Sequence, residues 1–234
     1  MSIAEQLAVI RERIGVAAKR AGRNPGDIAL MAVCKTFPSE AILEAYHAGQ
    51  RLFGENRVQE FADKYPQVSS LQDARFHMIG HLQSNKTAKA AEIFHAVDSI
   101  DSARLAQRLN DTAQKLGKAL DVLIEINVGG EEAKSGLPPD SPEIEAILMQ
   151  AAQWTNLRVR GLMTVPPYIE DAEGARPYFR KLRELRDRLA ARKFTSVSLD
   201  VLSMGMSHDF EVAIEEGSTC VRIGTAIFGE RHYL

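Results

Sequence analysis

The chain has 234 residues, 45% apolar and 26% charged, an ordinary globular composition that excludes disordered and fibrous architectures. Its 29 Lys and Arg against 31 Asp and Glu leave a formal charge of −2, too little field to gather a polyanion, so nucleic acid is not an expected partner. No apolar run approaches the roughly 18 residues of a membrane-spanning helix, the opening MSIAEQ carries no basic leader, and a cytoplasmic protein with no membrane partner is expected.

In chain order, apolar residues at positions 3, 7, 10, 14 and 17 form a helical stripe over 3–21. A strand follows at 28–35 (IALMAVCK), a helix at 39–48, a strand at 51–56, a helix at 58–65, a strand at 76–80 and a helix at 85–91. The alternation continues with a strand at 93–99, a helix at 102–116, a strand at 121–128 (DVLIEINV) and a helix at 142–152. A strand at 159–164, a helix at 172–192, a strand at 197–204, a short helix at 210–216 and a strand at 220–228 complete it. Eight strands alternating with helices predict an α/β protein, a (β/α)8 TIM barrel forming one domain over 1–234. The N-terminal helix is expected to stand where the helix after the eighth strand would be. An open doubly wound sheet is the alternative, but its first turn would be glycine-rich, whereas this one reads CKTFP. The stretch 129–142, with GG and PP, is expected to be a loop on the active face and not a domain boundary.

Barrels of this kind place their chemistry at the C-terminal ends of the strands. Strand one ends in Lys35, on the same face as Met31 and Val33, while Cys34 points the other way. An amine partly withdrawn from water can capture an aldehyde or ketone, and a strand-end lysine can equally reach out to solvent. The loops after strands seven and eight read SMGMS (203–207) and RIGT (222–225), small and hydroxylated, and loops at these positions often hold a phosphate. Arg222 shares a face with Gly224. It faces either the site or a partner carboxylate at the rim. Barrel closure would bring Lys35 beside these loops, which suggests a phosphorylated carbonyl compound.

Other features point elsewhere. His77 and His81 have i, i+4 spacing but straddle a strand end, so no metal site is expected. The arginine-rich stretch 176–193 interleaves Glu184 and Asp187 and reads as a solvated outer helix with i, i+4 pairs. Cys34 and Cys220 are expected to be free thiols near opposite ends of adjoining strands.

The motifs AVCK with Lys35, FGENRVQE (53–60), HMIGHLQSNK (77–86), GLMTVPP (161–167), LSMGMSHDFEVAI (202–214) and STCVRIGTAIFGER (218–231) together resemble the pyridoxal phosphate homeostasis protein family, related to the N-terminal barrel of bacterial alanine racemase. The resemblance implies a barrel holding pyridoxal 5′-phosphate as an internal aldimine on Lys35, with a role in intracellular vitamin B6 homeostasis and no strong catalytic activity. By the family pattern Arg222 resembles the arginine facing the pyridine nitrogen, and Asn56 a residue lining the ring. Ser203, Gly224 and Thr225 resemble the phosphate binders, with Met204 and Ser207 in the same loop. His208 and Cys220 are small departures. An arginine keeps its proton, leaving the ring nitrogen unprotonated and the cofactor a poor electron sink. Racemisation would need a second base, which in the racemase is a tyrosine from an additional domain that this sequence does not contain. A pyridoxal phosphate-dependent amino-acid racemase and a Schiff-base aldolase of a sugar phosphate are the rival readings. A monomer is expected, with pyridoxal phosphate-dependent apoenzymes as further partners.

Overall fold

A computed structural model describes residues 1–131 and 134–230. Eight parallel strands close into one barrel in sequence order: β1 (Ala29–Val33), β2 (Leu52–Glu55), β3 (Arg75–Met78), β4 (Ala96–Ile100), β5 (Leu120–Glu125), β6 (Leu157–Met163), β7 (Val197–Ser203) and β8 (Cys220–Ile223). Around them run α1 (Ile3–Arg20), α2 (Ser39–His47), α3 (Val58–Val68), α4 (Thr87–Ile93), α5 (Ala103–Lys115), α6 (Pro142–Gln150), α7 (Arg176–Ala190), α8 (Phe210–Glu215) and α9 (Thr225–Phe228).

The N-terminal helix takes the expected place. Ser2 and Glu5 form a reciprocal capping box at its start. Its stripe buries Leu7, Ile10, Ile14 and Ala17, the three larger side chains contributing roughly 1.5–3 kcal/mol each. It packs against α2 on one side and against α8 and α9 on the other, covering the seam where β8 meets β1.

Several boundaries differ from the sequence reading: β1 ends at Val33, so Lys35 lies in the turn after it and not on the strand, β5 ends at Glu125 and not at Val128, and four further differences have a local reason. The eighth strand stops at Ile223 instead of Phe228, because Gly224 O accepts the Ile227 and Phe228 N–H groups and turns TAIF into α9. The segment 172–192 is not one helix: a 3-10 turn over Ala172–Ala175 precedes α7, which begins with Pro177 in its first turn, where a missing N–H costs nothing. Ile93 ends α4 and does not begin β4, and α3 runs through Pro66 to the buried Val68. The arginines of α7 also pair differently. Arg176, Arg180 and Arg183 cross to the buried Glu216 beside α8, at 3.2, 3.1 and 2.9 Å, and do not form i, i+4 pairs along their own helix.

Two apolar layers result. Outward-facing strand residues and the helices make the main core, in which Phe61 packs on Phe76 and Phe94 with ring centroids 4.8 Å apart in both cases. The barrel interior is closed by Met31 and Val33 and then turns polar, with His77 hydrogen-bonded to Asp98 at 3.1 Å. A bulge interrupts the register of β6 between Val159 and Gly161. Gly161 is required there, since a Cβ would lie 1.9 Å from Val201 O. Both cysteines are free and buried. Ala29 pairs with Cys220 and Cys34 lies five residues further along, about 16 Å at strand rise, which keeps the thiols apart.

At the foot of β3 the Phe76 N–H donates to His95 Nδ1 at 3.1 Å, and burial, with Arg75, His77 and Lys118 nearby, pushes this imidazole down to about 4. The folded chain therefore binds fewer protons than the unfolded one, so stability present above about pH 6.5 drains as pH falls toward 4. His95→Asn, which keeps an acceptor for Phe76 but cannot titrate, is expected to lessen that loss by about 1–2 kcal/mol, measured by denaturant unfolding at pH 7 and pH 4.5; an unchanged pH dependence would refute the assignment.

Candidate functional site

The C-terminal ends of β1, β5 and β8, with the loops that follow β1, β2, β3, β5, β6, β7 and β8, border a cavity of about 510 Å3. That volume suits a cofactor-sized molecule. Six of the eight residues singled out from sequence line it: Lys35, Asn56, Ser207, Arg222, Gly224 and Thr225. Lys35 stands two residues beyond the end of β1, in the turn that follows, and lines the cavity beside Val33, while barrel closure explains its neighbours. β1 pairs with β8 so that Met31 stands opposite Arg222, bringing residues nearly two hundred positions apart to one side of the barrel.

Ser203 and Met204 do not line the cavity. Ser203 sits behind it, its Oγ accepting from Arg222 Nη1 at 2.8 Å. Met204 faces outward into the core between barrel and helices. Its backbone is also engaged, the N–H donating to Cys220 O at 3.1 Å and the carbonyl accepting from Ser218 Oγ at 2.7 Å.

Arg222 is not at the rim. It is 3% exposed, and its guanidinium is held by neutral acceptors, Ser203 Oγ and, at 2.7 Å from Nη2, Thr164 O. Burial draws its pKa down, while Cys220, Asp98, Asp209 and Glu125 offset part of that cost. A guanidinium starts so high that it stays charged at neutral pH. The site therefore contains a fixed cation whose hydrogen bonds orient it without neutralising it.

The loop after β7 is shaped by Gly205 at φ 94°, where a side chain would also strike Ala213 Cβ at 2.6 Å. Asp209 Oδ1 accepts from Met206 N at 2.7 Å and closes the loop, and Ala226 N donates to Ser207 Oγ at 3.4 Å, tying it to the start of α9. In that bond the Ser207 oxygen accepts, so its own proton is left to donate. Hydroxyl and backbone groups of Ser207, Gly224 and Thr225 thus border the same cavity as the two cationic side chains, a donor set suited to a phosphate ester.

Residues that sequence reasoning passed over come mainly from β5 and the loop after it. Glu125 lines the cavity at 6% exposure; its Oε1 accepts from Ser135 Oγ at 2.9 Å, its Oε2 has no partner, and burial raises its pKa. It was hidden inside the apolar run VLIEI, although alternation from Leu123 would have placed it inward. Lys134 also reaches the cavity, bridging to Glu131 at 2.6 Å. The loop 129–142 is thus on the active face as expected, although Glu132 and Ala133 lie outside the described residues, as does Arg231 at the end of the last motif. His81 lines the cavity and pairs with Asp101 at 3.3 Å. Among the described residues no group of three or more His, Cys, Asp and Glu side chains could hold a metal, and no helix is long and apolar enough to cross a membrane.

The family model described as alanine racemase, N-terminal domain, matches residues 6–232. A protein of Aquifex aeolicus named pyridoxal phosphate homeostasis protein is 48% identical over 233 residues, covering all of both chains. The protein of the same name from Escherichia coli K12 is 45% identical, covering 99% of this chain and 97% of its own. Among solved structures, PipY of Synechococcus elongatus PCC7942 with PLP bound superposes with a TM-score of 0.84 at 37% identity, over 97% of this chain and 100% of that one. An alanine racemase of Clostridium difficile 630, at 16% identity and a TM-score of 0.68, shares the fold over 98% of this chain and 57% of its own. The chain belongs to the alanine racemase N-terminal domain family and, within it, to the pyridoxal phosphate homeostasis proteins.

Proposed function

We propose that this barrel binds pyridoxal 5′-phosphate, holds it on Lys35, and serves vitamin B6 homeostasis by keeping the cofactor sequestered yet available. The observation that carries this is the convergence on one cavity of an amine at the end of β1, a buried cation on β8 and a phosphate-suited rim at Ser207, Gly224 and Thr225. When bound, the cofactor supplies an aldehyde that an amine can capture and a ring that can withdraw electrons.

The chain's own residues set how strongly that chemistry is expressed. Lys35 would hold the aldehyde, and the phosphate would lie against the donors of the two C-terminal loops. Arg222, held by Ser203 and Thr164, keeps a positive charge at a fixed point inside the barrel, and a ring nitrogen facing it has no reason to take a proton. Storage without strong catalysis follows from that placement. The proposal extends to a cytoplasmic setting, supported by the free thiols, and to a monomer that passes cofactor to apoenzymes.

Purified protein is expected to be yellow, to bleach with borohydride and to carry the reduced adduct on Lys35 in a peptide digest. An adduct on another residue, or none, would sink the proposal and reopen the sugar-phosphate aldolase. Lys35→Ala is expected to lose the visible band while its far-UV circular dichroism stays that of the parent, because a rim lysine contributes no packed core volume. For the phosphate rim, pyridoxal without its phosphate should bind far more weakly than the phosphorylated form. Thr225→Val should narrow that preference by about 1.5–3 kcal/mol, the value of one hydroxyl donor to a charged acceptor. Equal preference in both proteins, by equilibrium titration, would remove Thr225 from the phosphate site.

A further inference from the structure

The backbone just beyond Lys35 is one that its residue types disfavour. Phe37 N–H donates to Cys34 O at 3.2 Å, closing a four-residue turn whose third residue, Thr36, has φ 67°. Glycine or asparagine is the ordinary occupant of such a position, and a β-branched residue there persists only when its surroundings impose it. Lys35 is the second residue of this turn, so its course depends on whatever holds the turn shut.

The holding contact comes from outside the barrel. Lys64 on α3 donates to the same carbonyl, Cys34 O, at 3.1 Å, and to Glu55 Oε1 at 2.7 Å. The two side chains are 14% and 0% exposed, and Cys34 Sγ donates to the same carboxylate oxygen at 3.3 Å. Cys34 precedes Lys35 and Glu55 precedes Asn56, so this buried trio grips the backbone behind two cavity residues while itself facing the helix layer. Burying such a pair gains little net stability once desolvation is counted, and Glu55 Oε2 is left without a partner, so stability alone gives a poor account of it. What the pair does supply is a fixed donor on the turn's carbonyl.

We propose that Lys64, held by Glu55, is a positioning residue that clamps the strained Cys34–Phe37 turn and so sets Lys35 for capture of an aldehyde, an inference that rests on reading Lys35 as the cofactor-holding amine. Charge pairing orients the Lys64 amine, the amine fixes Cys34 O, and the closed turn keeps Thr36 in its left-handed conformation. At the far end Phe37 is anchored by Phe228, their ring centroids 5.1 Å apart.

The test compares wild type with Lys64→Met in the full chain, read in three ways. Amide exchange at Phe37, measured without cofactor, is expected to speed up about tenfold or more while exchange at Arg222, bonded to Gly205 O, stays unchanged. The rate of covalent capture of pyridoxal 5′-phosphate should fall by about tenfold or more, whereas affinity for pyridoxine 5′-phosphate, which has an alcohol in place of the aldehyde, should stay within about twofold. Adding Thr36→Gly to Lys64→Met should restore capture, because glycine adopts the turn unaided. Lys64→Gln, which keeps a donor of shorter reach, should move exchange and capture in the same direction by less, and serves if Lys64→Met does not fold. Unchanged exchange at Phe37, or equal weakening toward both ligands, would overturn the proposal. If wild type captures no aldehyde at Lys35, the cofactor reading fails on its own, while the exchange measurement still decides whether Lys64 holds the turn.

Discussion

Closure of the parallel sheet is the constraint on which everything else rests. Once β8 pairs with β1 in the register that sets Met31 opposite Arg222, the two ends of the chain's barrel meet, and the amine of Lys35 is delivered to the rim built by Gly224 and Thr225. Parallel strands all point the same way, so every strand's last residue arrives at one face, and a cavity there draws on the whole chain. The N-terminal helix makes this closure durable by covering the β8–β1 seam with an apolar stripe.

Within the barrel, the gradient from apolar to polar decides where chemistry is possible. Met31 is buried in the interior and Val33 lines the cavity, and buried with them are Asp98, Glu125, Ser203 and Arg222, side chains that are costly to bury unless they serve one another. The guanidinium of Arg222 meets that cost with neutral acceptors and more distant carboxylates, so its charge is oriented and kept. A carboxylate in close contact would have oriented it equally well and cancelled its field. The difference matters for a site whose proposed task is to retain a reactive aldehyde without driving further reactions of the ring.

The layer outside the barrel is more than packing. Lys64, Glu55 and Cys34 form a polar island between strands and α3, and it touches the backbone immediately before Lys35 and Asn56. At the top of β5 the turn is built differently: Asn127 accepts from Gly130 N at 3.0 Å and donates to Glu131 O at 2.8 Å, shaping the loop that brings Lys134 and Ser135 over the cavity. Cavity residues are thus set from behind by side chains that never line it.

Periodicity alone determined the fold. Apolar runs of strand length alternating with helical stripes leave few architectures; the strand-end rule then brought Lys35, Gly224 and Thr225 into view, parity brought Arg222, and the family pattern brought Asn56. Alternation also placed Met31 with Val33, because that periodicity is a property of the extended backbone, which ends before Lys35. Tertiary structure decided what local pattern cannot express. The segment TAIF reads as strand by composition, and only the carbonyl of Gly224, positioned by the end of β8, turns it into helix. Ser203 and Met204 are equally close in sequence to the phosphate-suited loop, yet one lies behind Arg222 and the other in the outer core, since a strand's parity fixes opposite faces but not which atoms reach the cavity. Alternation along β5 could have pointed Glu125 inward, but the Lys64–Glu55 pair was invisible, because its surroundings are assembled from strands and a helix that meet only when the barrel closes.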